Sequence, residues 1–228
     1  MAAKKGRGLL MVYVDVPAAV EDEFNRWYNE EHIAERLSIP GVLNAARYVA
    51  VRGGPKHLAC YELSEPEAYF TDTWQHFLNN PTAWSQRMSP TVVGHNFVRH
   101  VYRLFYPEAV SEEVAQADMA PALLVGRMTV PPHLEDIWNQ AYHEERLPLY
   151  RTIPGYIRAR RFKAVTSEPQ HEPKYTTVHE CQSPEVADSP EWEAVRKAQT
   201  PVWNGQVSAQ MTFAPGSPGV YRRVFPES

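Results

Sequence analysis

Cysteine is scarce: Cys60 and Cys181 are the only two in 228 residues, and they form no CxxC pair. That excludes a disulfide framework and a cysteine-based zinc site, and both are expected as free thiols. Long apolar runs are missing too. No segment approaches the ~18 residues a membrane helix needs, and GLLMVYVDV near the start is too short and too strand-like for a signal segment. A cytoplasmic chain without membrane contact is expected. Positive charge is not in excess, with 23 Lys and Arg against 27 Asp and Glu. A net charge of -4 and a pI near 6.1 argue against a phosphate-binding face, so no nucleic-acid partner is expected. GxGxxG, P-loop and GxSxG patterns are absent, which speaks against nucleotide cofactors and a serine nucleophile. The nine histidines form no HxH, HxxxH or HExxH, so no metal site is expected.

What is present is a soluble composition, 43% hydrophobic and 22% charged, and an internal repeat. Sliding the chain by 114 positions sets Leu9–Val51 on Leu123–Val165, with 17 identities in 43 ungapped positions. The match continues more loosely, His57–Glu67 lying on Tyr175–Glu185. The chain therefore reads as a tandem duplication, with an N-terminal unit over 1–110, a linker over 111–120 and a C-terminal unit over 121–228.

Each copy presents the same order of signals. LLMVYVDV is rich in β-branched residues and stops at Pro17, which predicts a strand. VEDEFNRWYNEEHIAERL places Val20, Phe24, Trp27, Tyr28 and Ile33 near a helical period behind the acidic Glu21–Glu23, which predicts a helix. IPG ends it at Ile39–Gly41, and again at Ile153–Gly155, because Pro cannot continue the ladder and Gly tolerates left-handed backbone. Two strands, a Trp-bearing helical region and a last strand follow. The order β-α-β-β-α-β predicts an α+β fold of two tandem ferredoxin-like units whose antiparallel sheets pack together as a pseudo-dimer.

An aromatic pair at Trp27 and Tyr28, a histidine about one turn later at His32 and the Pro40-Gly41 stop resemble the first helix of the dimeric α/β-barrel superfamily, more closely its EthD-like branch. The resemblance covers roughly residues 8–106 and 121–213. It implies a barrel, made here within one chain, and a pocket between sheet and helices with His32 at its edge. Members include muconolactone-type isomerases, polyketide cyclases, dehydratases, cofactor-free monooxygenases and haem proteins, so the fold alone does not choose a reaction.

Residues three and four apart share a helical face, which groups Tyr28, Glu31 and His32. An imidazole takes a proton near neutral pH when a carboxylate orients it; Glu31 or Glu62 would do so, and Tyr28 would donate to an oxyanion. Positions that differ between copies are the better guide to chemistry: His32 against Arg146, Asn29 against His143, Cys60 against Val178, Tyr61 against His179. Arg146 would hold an anionic group. Residues kept in both copies, Glu30, Glu31 and Arg47 among them, read as helix-to-strand ion pairs. The resemblance adds Cys60, because some isomerases of the superfamily carry a cysteine on the third strand. The expected site is thus catalytic His32, Tyr28 and Glu31, with Trp27, Cys60, Tyr61, Glu62, Tyr142, His143, Arg146 and His179 around the substrate.

The function expected is cofactor-independent acid/base catalysis, of dehydratase, lyase or isomerase type, on a small hydrophobic carbonyl, lactone or phenolic compound. A haem or lipophilic-ligand carrier with His32 as axial ligand is the runner-up, and cofactor-free oxygenation of a phenol is a third reading. An edge left by the duplication would favour a homodimer.

Overall fold

The computed structural model describes residues 2–168 and 173–227. Strand β1 (Gly8–Asp15) leads through α1 (Ala18–Trp27), a π turn (Tyr28–His32) and α2 (Ile33–Leu37) into β2 (Val42–Arg52) and β3 (His57–Leu63). Short helices α3 (Asp72–Asn79), α4 (Ala83–Met88) and α5 (Pro90–Val93) return the chain to β4 (His95–Tyr106). After α6 (Glu112–Gln116) come β5 (Ala122–Thr129), α7 (Glu135–Ala141), a second π turn (Tyr142–Arg146), α8 (Leu147–Tyr150), β6 (Tyr156–Glu168) and β7 (Tyr175–Cys181). The chain ends with α9 (Pro190–Lys197), the two-residue β8 (Thr212–Phe213) and β9 (Gly219–Phe225).

Eight strands close into a barrel in the order β1-β3-β2-β9-β5-β7-β6-β4 and back to β1, every neighbour antiparallel. The seams are reciprocal: β4 pairs with β6, and β9 pairs with β2. The last strand of each half thus lies against the second strand of the other. Closure leaves no open edge among these eight strands, which removes the pairing template expected to favour a dimer. Strand β9 lies beyond the stretch the resemblance covers, because Pro215, Gly216, Pro218 and Gly219 interrupt the strand pattern before it.

Alternation along each strand decides which side a residue serves. Leu9, Met11 and Tyr13 of β1 point into the barrel, with Tyr48, Cys60 and Phe162. Leu10, Val12 and Val14 point out under α1, against Phe24, Trp27 and Tyr28. An eight-stranded interior is about wide enough to be filled by side chains, and beside Cys60 and Glu62 this one is, the cavity there measuring only about 10 Å³.

The N-terminal residues and the expected linker close one mouth of the barrel. Lys4 and Lys5 donate their backbone N–H groups to the Ala115 carbonyl, and Met119 and Ala120 join the barrel core. Lys5, 2% exposed, reaches Glu180 at 3.0 Å and Glu62 at 3.6 Å. Arg160 grips both oxygens of Glu62 and lies 3.1 Å from Glu180. Burial would raise the Glu180 pKa, but Lys5 and Arg160 outweigh it and hold the carboxyl below its usual value.

The IPG turns behave as the sequence predicts. Gly41 has φ +90° and Gly155 φ +79°, a region that side-chain-bearing residues rarely adopt. A Cβ at Gly41 would also come within 2.8 Å of the Ala68 Cβ.

Candidate functional site

The first helix is interrupted at Tyr28–His32 by one π turn, and the second half repeats this at Tyr142–Arg146. A π turn widens the helix locally and changes which residues share a face. Tyr28 and His32 stay in contact, their rings meeting edge-on at 5.0 Å. Glu31 instead accepts from Trp27 Nε1 at 3.2 Å, Thr82 Oγ1 at 2.6 Å and Ser85 Oγ at 3.2 Å. The carboxylate therefore ties the first helix to α4 and does not orient the imidazole. Glu145 has the same task in the second half, accepting from the backbone N–H groups of Val202 and Trp203.

The His32 ring packs tilted against the Trp27 indole, at 4.5 Å and 32°. It borders a groove of about 350 Å³ between the first helix and α3–α5, which Trp27, Arg36, Phe77, Leu78 and Ser85 also line. Its Nδ1 is sealed from solvent and meets no hydrogen-bond partner. Burial, with the positive charges of Arg36 and Arg47, pushes the His32 pKa well below 6.5. At neutral pH the ring is uncharged, with Nδ1 unpartnered.

The other expected residues divide by the face they occupy. Trp27 forms a groove wall. Tyr28 and Tyr61 lie under the helix, their hydroxyls 3.3 Å apart and both residues almost fully buried. Arg47 covers the Tyr28 ring at 4.6 Å and donates to Asn25 and Asn29, so the expected pairing of Glu30 and Glu31 with Arg47 is replaced by amide contacts. Tyr28 is thus a packed residue with no open side towards the groove. Cys60 and Glu62 point into the barrel, on the opposite side of the sheet from His32. Glu62 is held there by Arg160, and burial pushes the Cys60 thiol pKa far up.

The second-half residues, expected around the substrate, are held by contacts within the chain. Arg146 donates to the carbonyls of Val195 at 2.9 Å and Ala198 at 3.2 Å. It serves the carbonyls that a helix end leaves unpaired, in place of an anionic substrate group. His143 Nε2 lies 2.7 Å from Arg161 Nη1, its ring stacked on Tyr106 at 4.0 Å. His179, 2% exposed, bridges the Tyr142 hydroxyl at 3.3 Å and the Tyr156 hydroxyl at 3.2 Å. Burial, then Arg161, lowers its pKa to about 3.

Arg36 is a groove residue that the sequence reading passed over. It follows His32 by four positions, the spacing that puts two side chains on one helical face, and its counterpart in the other copy is Tyr150. Both signals were there to be read.

A larger cavity, about 600 Å³, opens at the other mouth of the barrel beside Asp15, Lys56 and Arg127. Asp15 accepts from the Lys56 amide and from Asn96, and Lys56 Nζ pairs with Glu21. Arg127 donates to the Pro215 carbonyl and rests on the Tyr13 ring. No expected site residue lines this cavity, whereas the smaller groove presents an unpartnered imidazole. The groove is the better candidate. Among the described residues no group of three or more His, Cys, Asp and Glu could hold a metal ion, and no helix is long and apolar enough to cross a membrane.

No family model matches the sequence, and no curated protein matches it. Solved structures do. An anthrone oxidase-like protein superposes with TM-score 0.64 at 13% identity, over 98% of this chain and 94% of that one. The fold is a dimeric α/β barrel. A variant of chlorite dismutase from Candidatus Nitrospira defluvii superposes with TM-score 0.58 at 11% identity, over 98% and 92% of the two chains. A haem-binding protein from Thermus thermophilus gives 0.55 at 10%, over 96% and 92%. At these identities the likeness is one of architecture.

Proposed function

We propose that this barrel is an enzyme of the dehydratase, lyase or isomerase type acting on a small hydrophobic carbonyl, lactone or phenolic compound, with His32 as its general base. The observation that carries the reading is the His32 imidazole at the edge of a groove lined by Phe77 and Leu78, its buried Nδ1 bonded to no carboxylate. An imidazole kept neutral by burial can accept a proton from the carbon next to a carbonyl. The anion forming beside it then favours the imidazolium, which offsets the desolvation that depressed its pKa. Glu31 serves this chemistry indirectly by anchoring α4, one wall of the groove. Tyr28 keeps the imidazole in place by edge contact, and its buried hydroxyl, beside that of Tyr61, leaves the oxyanion donor to come from elsewhere. The EthD-like affinity and the origin of the two units, 1–110 and 121–228, by fusion belong to the same reading. The first-helix pattern and the reciprocal seams of the barrel support them.

The test is solvent deuterium exchange into small aryl ketones and lactones, followed by NMR. The protein should catalyse exchange, and His32→Ala should slow it at least about a hundredfold with the fold intact. Exchange unchanged in that variant removes His32 from the mechanism.

A haem carrier is the second reading, favoured by the haem-binding neighbour and by the unpartnered imidazole. A tetrapyrrole with its propionates is larger than a groove of about 350 Å³, so the residues present do not fit haem without moving apart. A Soret band on titrating haem, lost in His32→Ala, would restore it. Oxygen uptake with phenolic substrates would instead mark cofactor-free oxygenation.

A further inference from the structure

Arg36 is the one strongly basic side chain among the described residues bordering the His32 groove, and its guanidinium is incompletely satisfied. The residue is 6% exposed. Its Nη2 lies 3.3 Å from the Glu35 carboxylate, and its plane sits 5.3 Å from the Trp74 ring and 5.8 Å from the Phe77 ring. Nη1 is buried with no hydrogen-bond partner. An unpaired donor on a buried cation is costly. The nearest other carboxylate on this helix, Glu31, is already held by Thr82, Ser85 and Trp27.

His32 and Arg36, each with a buried nitrogen that meets no partner, therefore line one groove. Phe77 and Leu78, both partly exposed, line the same groove. We propose that the groove selects small aromatic carboxylic acids, the carboxylate accepting from the Arg36 guanidinium and the ring lying against Phe77 and Leu78. This deepens the acid/base reading by naming the substrate class, and it rests on that reading for the role of His32. A planar guanidinium suits a carboxylate because its N–H groups lie in one plane with the two oxygens. Tyr150, at the matching position of the second half, is packed on Trp192 at 4.8 Å and on His179 at 4.7 Å. The recognition is thus a property of the first half.

The experiment measures binding of benzoate and of benzamide, the same ring with and without charge, by calorimetry on the full chain. Wild type should prefer benzoate by at least about tenfold. Arg36→Gln should abolish the preference and Arg36→Lys should keep part of it. If Arg36→Gln does not fold, as far-ultraviolet circular dichroism would reveal, the wild-type and Arg36→Lys comparison decides. Equal binding of the two probes by wild type, no binding of either, or a preference that survives in Arg36→Gln overturns the proposal. A preference present without any deuterium exchange would sink the acid/base reading alone. Exchange without the preference would sink this one alone.

Discussion

Lowering the pH from 7 to 5 should cost this protein stability through His179, and the amount follows from its surroundings. The ring is enclosed by Tyr150, Tyr156 and Trp192, its two nitrogens bonded to two tyrosine hydroxyls. No carboxylate is among these partners to compensate a second proton. Its folded pKa is depressed to about 3 from 6.5, by burial first and Arg161 second. Above pH 6.5 neither the folded nor the unfolded chain binds this proton, and the stabilisation is complete. As the pH falls below 6.5 the unfolded chain takes up the proton and the folded chain does not, so stability is lost progressively down to about pH 3. At pH 5 the loss is roughly 2 kcal/mol, since one pKa unit corresponds to about 1.4 kcal/mol. Against a typical total of about 5–15 kcal/mol, that is large. Urea unfolding followed by tryptophan fluorescence at pH 7 and pH 5 measures it. His179→Gln, which cannot take the proton, should be weaker at pH 7 but lose roughly 2 kcal/mol less between the two pH values. An identical pH dependence in variant and wild type would refute the reasoning.

Removing Arg160 should destabilise the barrel by about 3–5 kcal/mol, because Arg160→Met leaves Glu62 and Glu180 buried with too little positive charge. Adding Glu62→Leu should recover much of that loss, and a single-variant effect below about 1 kcal/mol in urea melts would contradict the network. Cys60 and Cys181 are both buried, and burial raises both thiol pKa values. A thiol reagent should label neither in the native protein and both in urea; native labelling of Cys60 would mean that the barrel interior is open.

Much of the fold was legible because it is written locally. The period of Phe24, Trp27, Tyr28 and Ile33, the IPG stops and the alternating strands each need only near neighbours to be read. The repeat then set the element order for both halves. What escaped was written across the chain. Lys5 reads as part of a short basic start, yet its partners are Glu62 and Glu180, brought to it only by barrel closure. Glu31 shares a helical turn with His32, but two of its donors, Thr82 and Ser85, come from a segment about fifty residues on. Strand parity could have set Cys60 and Glu62 on the far side of the sheet from Tyr61, because neighbours along a strand face opposite ways. Residues that differ between copies proved a mixed guide. Arg146 and His179 differ because each half packs its helices differently, whereas His32 and Arg36 differ where a groove opens.

The central claim is that His32 lines that groove as a neutral imidazole with one nitrogen unpartnered. An NMR pH titration of the His32 ring, assigned by comparison with His32→Ala, tests it most directly. The account predicts a midpoint well below 6.5, moved upward when benzoate is added. A midpoint at or above 6.5, indifferent to benzoate, would contradict it.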